Sequence, residues 1–591
     1  MNPGTFYGQK TLRTRFPPED KSDDSCLSDS DEDPDYNPPT QGVSLMASES
    51  SSDEDDECGT VAARAARITT NKQSVKWTKT NCQEENQIPS WNGSLPQSES
   101  VRTPIEYFRE FFDDALFEYI VEQSNLFAIQ KNPNKPLGLT RAELEQFLGT
   151  VTFMSFCSLP RTRLYWAAES RIPTIADTMS RDRWEAIKSN LHFNNNDEMP
   201  SPNDLRKDRL FKVRPLLDSL LPKFEAIPKN QALCVDEQMV PFKGRSSLKQ
   251  YIPSKPHKCG YKIFLLCDSQ GIVHSFDIYT GKIDAVPGEP DLGASGNVVL
   301  KLYKLIQPGL NHHLYCDNWF TSLKLFTALA KKDVHCLGTA RANRLQGCPL
   351  PSDADLKKKG RGTFEEFETV IDGQKIIIVR WYDNRAVTTA STFAGVQPVA
   401  SVDRWERTQK RIVQVDCPSS VRKYNKHMGG VDQNDALIAF YRIHIRSKKF
   451  YLKIFFHFID MVIVVSWLLY RRDCDSLAIP ARRQLDLLKF KFYIATCLLK
   501  QGKDTTPKRR GRPSTSLEAQ LETKKKRGPM KSVPVASIRT NNTAHWPAVD
   551  SVRQRCKRPG CKGQTVVMCT KCQVHLCPNK NANCFLDFHQ P

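Results

Sequence analysis

From residue 231 the apolar residues stop recurring at helical spacing and alternate instead, and the order of the elements beyond that point restricts the fold more than any other feature of the chain. ALCVDEQMVPF, YKIFLLCDSQG and IVHSFDIYTG read as three strands, the last two joined by a short turn at Ser269-Gln270-Gly271. NVVLKLYKLIQPGL reads as a helix stopped near Pro308-Gly309, HHLYCDNWF as a fourth strand, SLKLFTALAKK as a second helix and CLGTA as a fifth strand. The order βββαβαβ predicts an α/β fold, a strand meander continued by alternating helix and strand, with helices packed on a mixed sheet.

The flanking segments differ in period. Residues 101–230 read as helical: Phe108, Phe111, Phe112, Leu116 and Tyr119 recur at helical spacing, and TRAELEQFLGTVTFMSF and SRDRWEAIKSNLHF follow. Residues 344–420 read as a β-rich insertion, with turns at Asp372-Gly373 and Asp383-Asn384. GGVDQNDALIAFYRI, within 421–445, returns to helix, and further helix follows over 446–520. The apolar run IFFHFIDMVIVVSWLLY, residues 454–470, is short for a bilayer and interrupted by His457 and Asp460, which predicts a buried helix.

The net charge of +19 is unevenly spread. Residues 1–60 hold 4 Lys/Arg against 15 Asp/Glu, a balance of −11, and residues 500–563 hold 17 against 4, a balance of +13. An acidic head and a basic tail suggest a polyanionic partner. Residues 1–100, rich in Ser, Asp, Glu and Pro, are expected to be disordered, and 521–552 to form a basic linker. MNPGTFYGQK has no apolar signal region, so the 19 cysteines are expected in a reducing compartment as core thiols or metal ligands.

Asp236 interrupts the first strand of the βββαβαβ segment, and Asp317 ends the fourth. In a βββαβ sheet of the ribonuclease-H type those strands are neighbours. Asp432 and Asp435 lie three apart at the start of a later helix, on one face. Taken singly, Asp317 is ordinary turn chemistry and Asp432 and Asp435 are ordinary first-turn acids. Together they offer hard oxygen ligands from three separated elements, as magnesium requires. Two such ions about 3.5–4 Å apart can activate a nucleophile and stabilise a leaving oxygen in phosphodiester transfer.

CVDEQMVPFKGR with YIPSKPHKCGYK, then YCDNWFTS, GTARANR and YNKHMGGVDQND, in this order, resemble the piggyBac family of transposases; MSRDRW and WYDNRAVTTAST resemble it too. The likeness runs from about residue 101 to 591. It implies a ribonuclease-H-like catalytic core split by a β-rich insertion. A helical dimerisation and DNA-binding domain and a C-terminal two-zinc cysteine-rich domain (553–591) would flank that core. It implies magnesium-dependent strand transfer at Asp236, Asp317 and Asp432, with Asp435 a fourth contributor, acting on double-stranded DNA through hairpin ends joined at TTAA targets by a homodimer. A domesticated DNA- or chromatin-binding descendant would carry the same motifs. One position departs: Phe450 stands where the family commonly has tryptophan before the apolar helix.

KGRSSLKQYIPSKPHKCGYK supplies Lys243, Arg245, Lys249, Lys255, Lys258 and Lys262 among Tyr251 and Tyr261, a pattern suited to tracking phosphates; Arg341 and Asn343 follow the fifth strand. KRRGRPS, with Lys508, Arg509, Arg510 and Arg512, reads with KKKRG as a nuclear signal and resembles an AT-hook core, so the nucleus is the expected location. In the tail, Cys556, Cys561, Cys569, Cys572, Cys577, Cys584 and His589 are candidate zinc ligands, and His575 is the nearest eighth for two tetrahedral sites. The spacing also resembles RING and PHD modules, so it fits a DNA reader or a protein reader.

Overall fold

The computed structural model describes residues 75–82, 88–201, 204, 208–253, 255, 257–304, 306–406, 409–502, 533–541, 543–579 and 582–590. The acidic head to residue 74 and the proposed nuclear signal at Lys508, Arg509, Arg510 and Arg512 lie outside the described residues. The chain divides into two compact units, Met1–Phe111 with Leu217–Lys491, and Phe112–Leu216 with Phe492–Pro591.

The first unit is built on one mixed sheet. Its strands are β1 (Thr78–Lys79), β2 (Ala232–Pro241), β3 (Gln250–Tyr251), β4 (Cys259–Asp268), β5 (Val273–Ile278), β6 (His312–Cys316), β7 (Val334–Thr339), β8 (Phe364–Ile371), β9 (Gln374–Tyr382) and β10 (Ala386–Ser391). They lie in the order β1-β8-β9-β10-β7-β6-β2-β4-β3, with β5 also on β4. β6 runs parallel to both β2 and β7, and the other pairings are antiparallel. This is the ribonuclease-H-like arrangement expected, with the first and fourth strands of the core side by side.

Strand alternation sorts the sheet into two faces. Leu233, Val235, Phe264, Leu266, Leu314 and Cys316 are buried against Val298 and Leu302 of the helix Gly293–Tyr303 and Phe326 and Leu329 of the helix Leu323–Ala330. Each such side chain contributes about 1.5–3 kcal/mol of apolar burial. On the other face Cys234 and Gln238 meet the helix Gly430–Phe440. A Cβ on Gly430 would lie 2.0 Å from the Asp268 carbonyl oxygen, so the helix starts in direct backbone contact with the sheet.

Beyond this helix, Phe450–Ser476 is long and apolar enough for a bilayer, yet it is buried along nearly its whole length inside the protein, as the interrupting polar residues implied. Those residues are paired: His457 Nε2 lies 2.7 Å from Gln238 Oε1, and Asp460 accepts from Lys491 Nζ at 2.7 Å and Ile443 N at 2.8 Å.

The 344–420 segment is β-rich, but three of its strands extend the main sheet, because β10 pairs with β7 through Thr389–Thr339 and Ala390–Gly338. Asp372 and Gly373 both take positive φ (50° and 78°) between β8 and β9, as a two-residue hairpin turn demands. A further hairpin, Ala400–Glu406 with Arg411–Cys417, follows. The expectation of disorder to residue 100 fails for the described part of that range. β1 pairs with β8, Trp77 packs against the core, and Asn92 N donates to the Leu310 carbonyl (3.1 Å). Composition weighs this stretch by its charge and does not register that one indole anchors it.

In the second unit the helices Asp114–Lys131, Arg141–Phe156 and Arg181–Asn190 share a core of Phe117, Ile120, Leu144, Phe147, Trp184 and Ile187. Asp113 and Ser180 cap two of them, and Thr140 with Glu143 forms a capping box on the third. The cysteine-rich tail is a hairpin, Pro547–Arg555 with Gln564–Cys569, followed by a short helix, Cys584–His589.

Candidate functional site

β2 and β6 run in register with Val235 beside Cys316, so the next residue on each strand is an acid, Asp236 and Asp317. The turn reading of Asp317 holds as well: its Oδ1 accepts from Trp319 N (2.8 Å), and its carbonyl accepts from Thr321. The helix Gly430–Phe440 brings Asp432 in its first turn. Burial raises the Asp236 carboxyl well above the usual range; Lys255 opposes this, while Glu237, Asp317 and Asp432 add to it. Burial and Glu237 likewise raise Asp317. Three acids remote in sequence therefore share one electrostatic neighbourhood.

Two lysines enter the same neighbourhood. Lys255 Nζ donates to the Glu237 carbonyl (2.9 Å) and lies 3.4 Å from its carboxylate. Burial alone would lower its pKa, but Asp236, Glu237 and Asp432 hold it above the ordinary value. Lys262 Nζ sits 4.7 Å from the ring centres of both Phe264 and Trp319, and burial lowers it. Four carboxylates thus face two ammonium groups. Hard oxygen donors with surplus negative charge fit a hard divalent cation.

The other expected residues are placed differently. Asp435 pairs with Arg442 Nη2 at 3.0 Å, so the guanidinium takes the carboxylate expected to contribute to the acid group. Lys243, Arg245, Lys258, Arg341 and Asn343 are exposed; Lys249 is half-buried and donates to the Gly244 carbonyl. Two further residues carry no mark in the sequence. Arg344 Nη1 donates to the Trp319 carbonyl and ties down the loop after Asp317. The Tyr424 hydroxyl lies 3.4 Å from Thr339 Oγ1, and Asp317 and Asp236 act on it electrostatically. Tyr424 stands in the YNKHMGG motif and Arg344 in GTARANR, but nothing in the spacing separates them from their neighbours.

The tail holds two groups whose ligand atoms all lie within 4.8 Å of one another: His545, Cys569, Cys572 and His589, and Cys556, Cys561, Cys577 and Cys584. The eighth residue is His545, not His575. His575 Nε2 is instead 3.0 Å from the Asp550 carboxylate. Both histidines of the first group are oriented as metal ligands. His545 Nε2 lies 3.1 Å from the Ile538 carbonyl, which fixes the proton there and leaves Nδ1 facing Cys569 and Cys572 at 3.5 and 3.4 Å. His589 Nδ1 donates to the Phe585 carbonyl (2.7 Å), leaving Nε2 buried with no hydrogen-bond partner among the described residues. Burial, reinforced by neighbouring thiols, pushes Cys572 and Cys577 up to about 12. Two such groups could each hold a metal ion. Their order also contains the missed signal: Cys556/Cys561, Cys569/Cys572 and Cys577/Cys584 alternate between groups, so His589 needs a partner upstream of Cys556.

The transposase family model described as Transposase IS4 matches residues 103–467. The chain is 32% identical over 557 residues to human PiggyBac transposable element-derived protein 2, covering 93% of this chain and 87% of that protein. It is also 32% identical over 496 residues to human PiggyBac transposable element-derived protein 3, covering 83% and 76%. The chain belongs to the piggyBac transposase family. Its fold matches a piggyBac transposase solved in a synaptic complex with hairpin DNA, at TM-score 0.56 and 21% identity over 80% of this chain and 98% of that one. The departure from the piggyBac pattern at Phe450 keeps an aromatic in use: its ring meets Tyr261 edge-on, 6.4 Å between centres.

Proposed function

We propose that this chain is a cut-and-paste DNA transposase in which Asp236, Asp317 and Asp432 hold magnesium against a DNA strand. The convergence of those three acids from two neighbouring strands and a later helix, in a member of this family, supports the reading. Magnesium there would supply an activated water or 3′-hydroxyl and a stabilised leaving oxygen. Lys255 and Lys262, both paired with Glu237 beside the acids, would meet the phosphates flanking the reacting one, and the Arg344-braced loop would keep Asp317 at the strand end. The expected steps are a nick by water at the element's end, attack of the freed 3′-hydroxyl on the opposite strand, which closes a hairpin and releases the flanking 3′-oxygen, opening of the hairpin by water, which frees the 3′-hydroxyl again, and attack of that hydroxyl on the target strand at TTAA. Each is a displacement at phosphorus, so one site serves all of them.

The partner is double-stranded DNA, engaged by a homodimer in the nucleus. Zinc in the two tail groups, one with His545 and one all-cysteine, would build a module that grips the element's ends. The names of the human relatives, transposable element-derived proteins, favour a second reading, a DNA- or chromatin-binding descendant without transposition.

The deciding experiment incubates the full chain with magnesium and DNA carrying the inverted repeats that flank its own gene, bordered by TTAA. Nicking and hairpin formation that vanish in Asp317→Ala support the transposase; binding with no strand cleavage supports the descendant.

A further inference from the structure

A line of side-chain hydrogen bonds joins the acid-bearing strand to the acid-bearing helix. His457, on the long apolar helix, places Nε2 2.7 Å from Oε1 of Gln238 on β2. The amide nitrogen of Gln238 lies 3.3 Å from Asn434 Oδ1, and Asn434 Nδ2 donates to the Gly271 carbonyl at 3.0 Å. All three side chains are buried, with exposures of 4% for His457, 2% for Gln238 and 0% for Asn434.

The direction of the line is fixed at one end. The Gly271 carbonyl can only accept, so Asn434 gives its N–H there and its oxygen accepts from Gln238. The Gln238 oxygen then faces the imidazole, and His457 Nε2 carries the proton. Burial drops the His457 pKa to about 3, so the ring is neutral throughout the working range.

Polar groups in a core of Phe, Ile and Val do not contribute more stability than apolar ones of the same shape, and each is costly if left unpaired. What this line supplies is register. Gln238 lies two residues beyond Asp236, so both leave the same face of β2. Asn434 lies two residues beyond Asp432 and so on the opposite side of its helix; Asn434 is fully buried while Asp432 is exposed. The line therefore pins the inner side of the helical turn whose outer side carries Asp432.

We propose that His457, Gln238 and Asn434 are positioning residues: they fix the placement of Asp432 relative to Asp236 and thereby set how tightly the acids hold a divalent cation. This rests on the reading of the acids as a metal site. The test titrates Mn²⁺ into the full zinc-loaded chain by calorimetry, with Asp236→Asn defining binding at other places. His457→Leu is expected to weaken Asp236-dependent binding about 10-fold or more, while gel-shift binding to the element's ends stays unchanged. His457→Gln, which keeps a donor, should recover most of the affinity. In strand cleavage, the magnesium needed for half-maximal rate should rise by the same factor.

A folded His457→Leu that binds Mn²⁺ like the wild type overturns the proposal. Should that variant not fold, Gln238→Leu breaks the same line and is judged by the same two outcomes. A wild-type chain that cleaves no DNA defeats the transposase reading alone, because the Mn²⁺ titration still decides the positioning. A wild type with no Asp236-dependent Mn²⁺ binding overturns both the metal-site reading and this one.

Discussion

Substituting Gly430 by alanine tests whether the placement of one helix sets the activity. A Cβ there would lie 2.0 Å from the Asp268 carbonyl oxygen and 2.8 Å from Cys234 Sγ. Carbon and oxygen normally approach to about 3.3 Å, so one partner must retreat by about 1.3 Å. Asp268 is poorly able to yield: its carboxylate accepts from Gln270 N and Ile272 N, both at 2.9 Å, and from Asn230 at 2.7 Å. The helix therefore moves, and Asp432 in its first turn moves with it. Overpacking of this kind costs about 1–3 kcal/mol, enough to lower Tm by a few degrees. A reacting group displaced by about 1 Å costs about 100-fold in rate, a far larger effect than the stability loss. Thermal melts and magnesium-dependent cleavage of an element end measure the two separately. Gly288→Ala is the control, since that residue has φ of +82° and open space around it. It should lose about 1 kcal/mol through backbone strain and keep its cleavage rate. Gly430→Ala with an unshifted Tm and wild-type cleavage would refute the reasoning.

In the tail, His545→Ala should cut bound zinc from two ions per chain to one in a metal-release assay, whereas His575→Ala should retain both. Chelation of zinc should weaken binding to the element's ends and leave the melt of the sheet-bearing unit unchanged; loss of the whole fold would contradict the separation. For Asp236 the linkage sign is unusual: its pKa is raised on folding, so the folded chain binds more protons above pH 3.8, and stability falls as pH rises through the folded value. The metal-free Asp236→Asn variant should therefore melt higher than wild type at pH 7, with the gap closing toward pH 4. Arg344→Ala should loosen the loop after Asp317 and reduce cleavage while leaving DNA binding within a few-fold.

The strand order is readable because alternation is local: Leu233 and Val235 against Cys234 and Asp236 already divide β2 into two faces, and the pairing of β2 with β6 accords with the βββαβ order. Order along the chain says nothing about charge partners in space, and there the sequence is silent. Asp435 shares a helical turn with Asp432, yet Arg442, seven residues on, takes its carboxylate. Lys255 and Lys262 are two of six basic residues in their stretch until folding sets them beside Glu237. His545 escapes notice because it lies eleven residues ahead of the first cysteine of the tail, inside what composition marks as a linker.

The long apolar helix carries the point further. In the sequence its His457 and Asp460 are interruptions that spoil a membrane span, which is correct as far as hydropathy goes. Hydropathy treats a buried polar group as a cost to be tolerated. The structure gives each of these groups a definite partner, and the partner of His457 stands two residues from an acid of the candidate site. A core that needed only to be apolar would have no use for an imidazole there. A core that must hold a strand and a helix at one spacing, against the mutual repulsion of their acids, does.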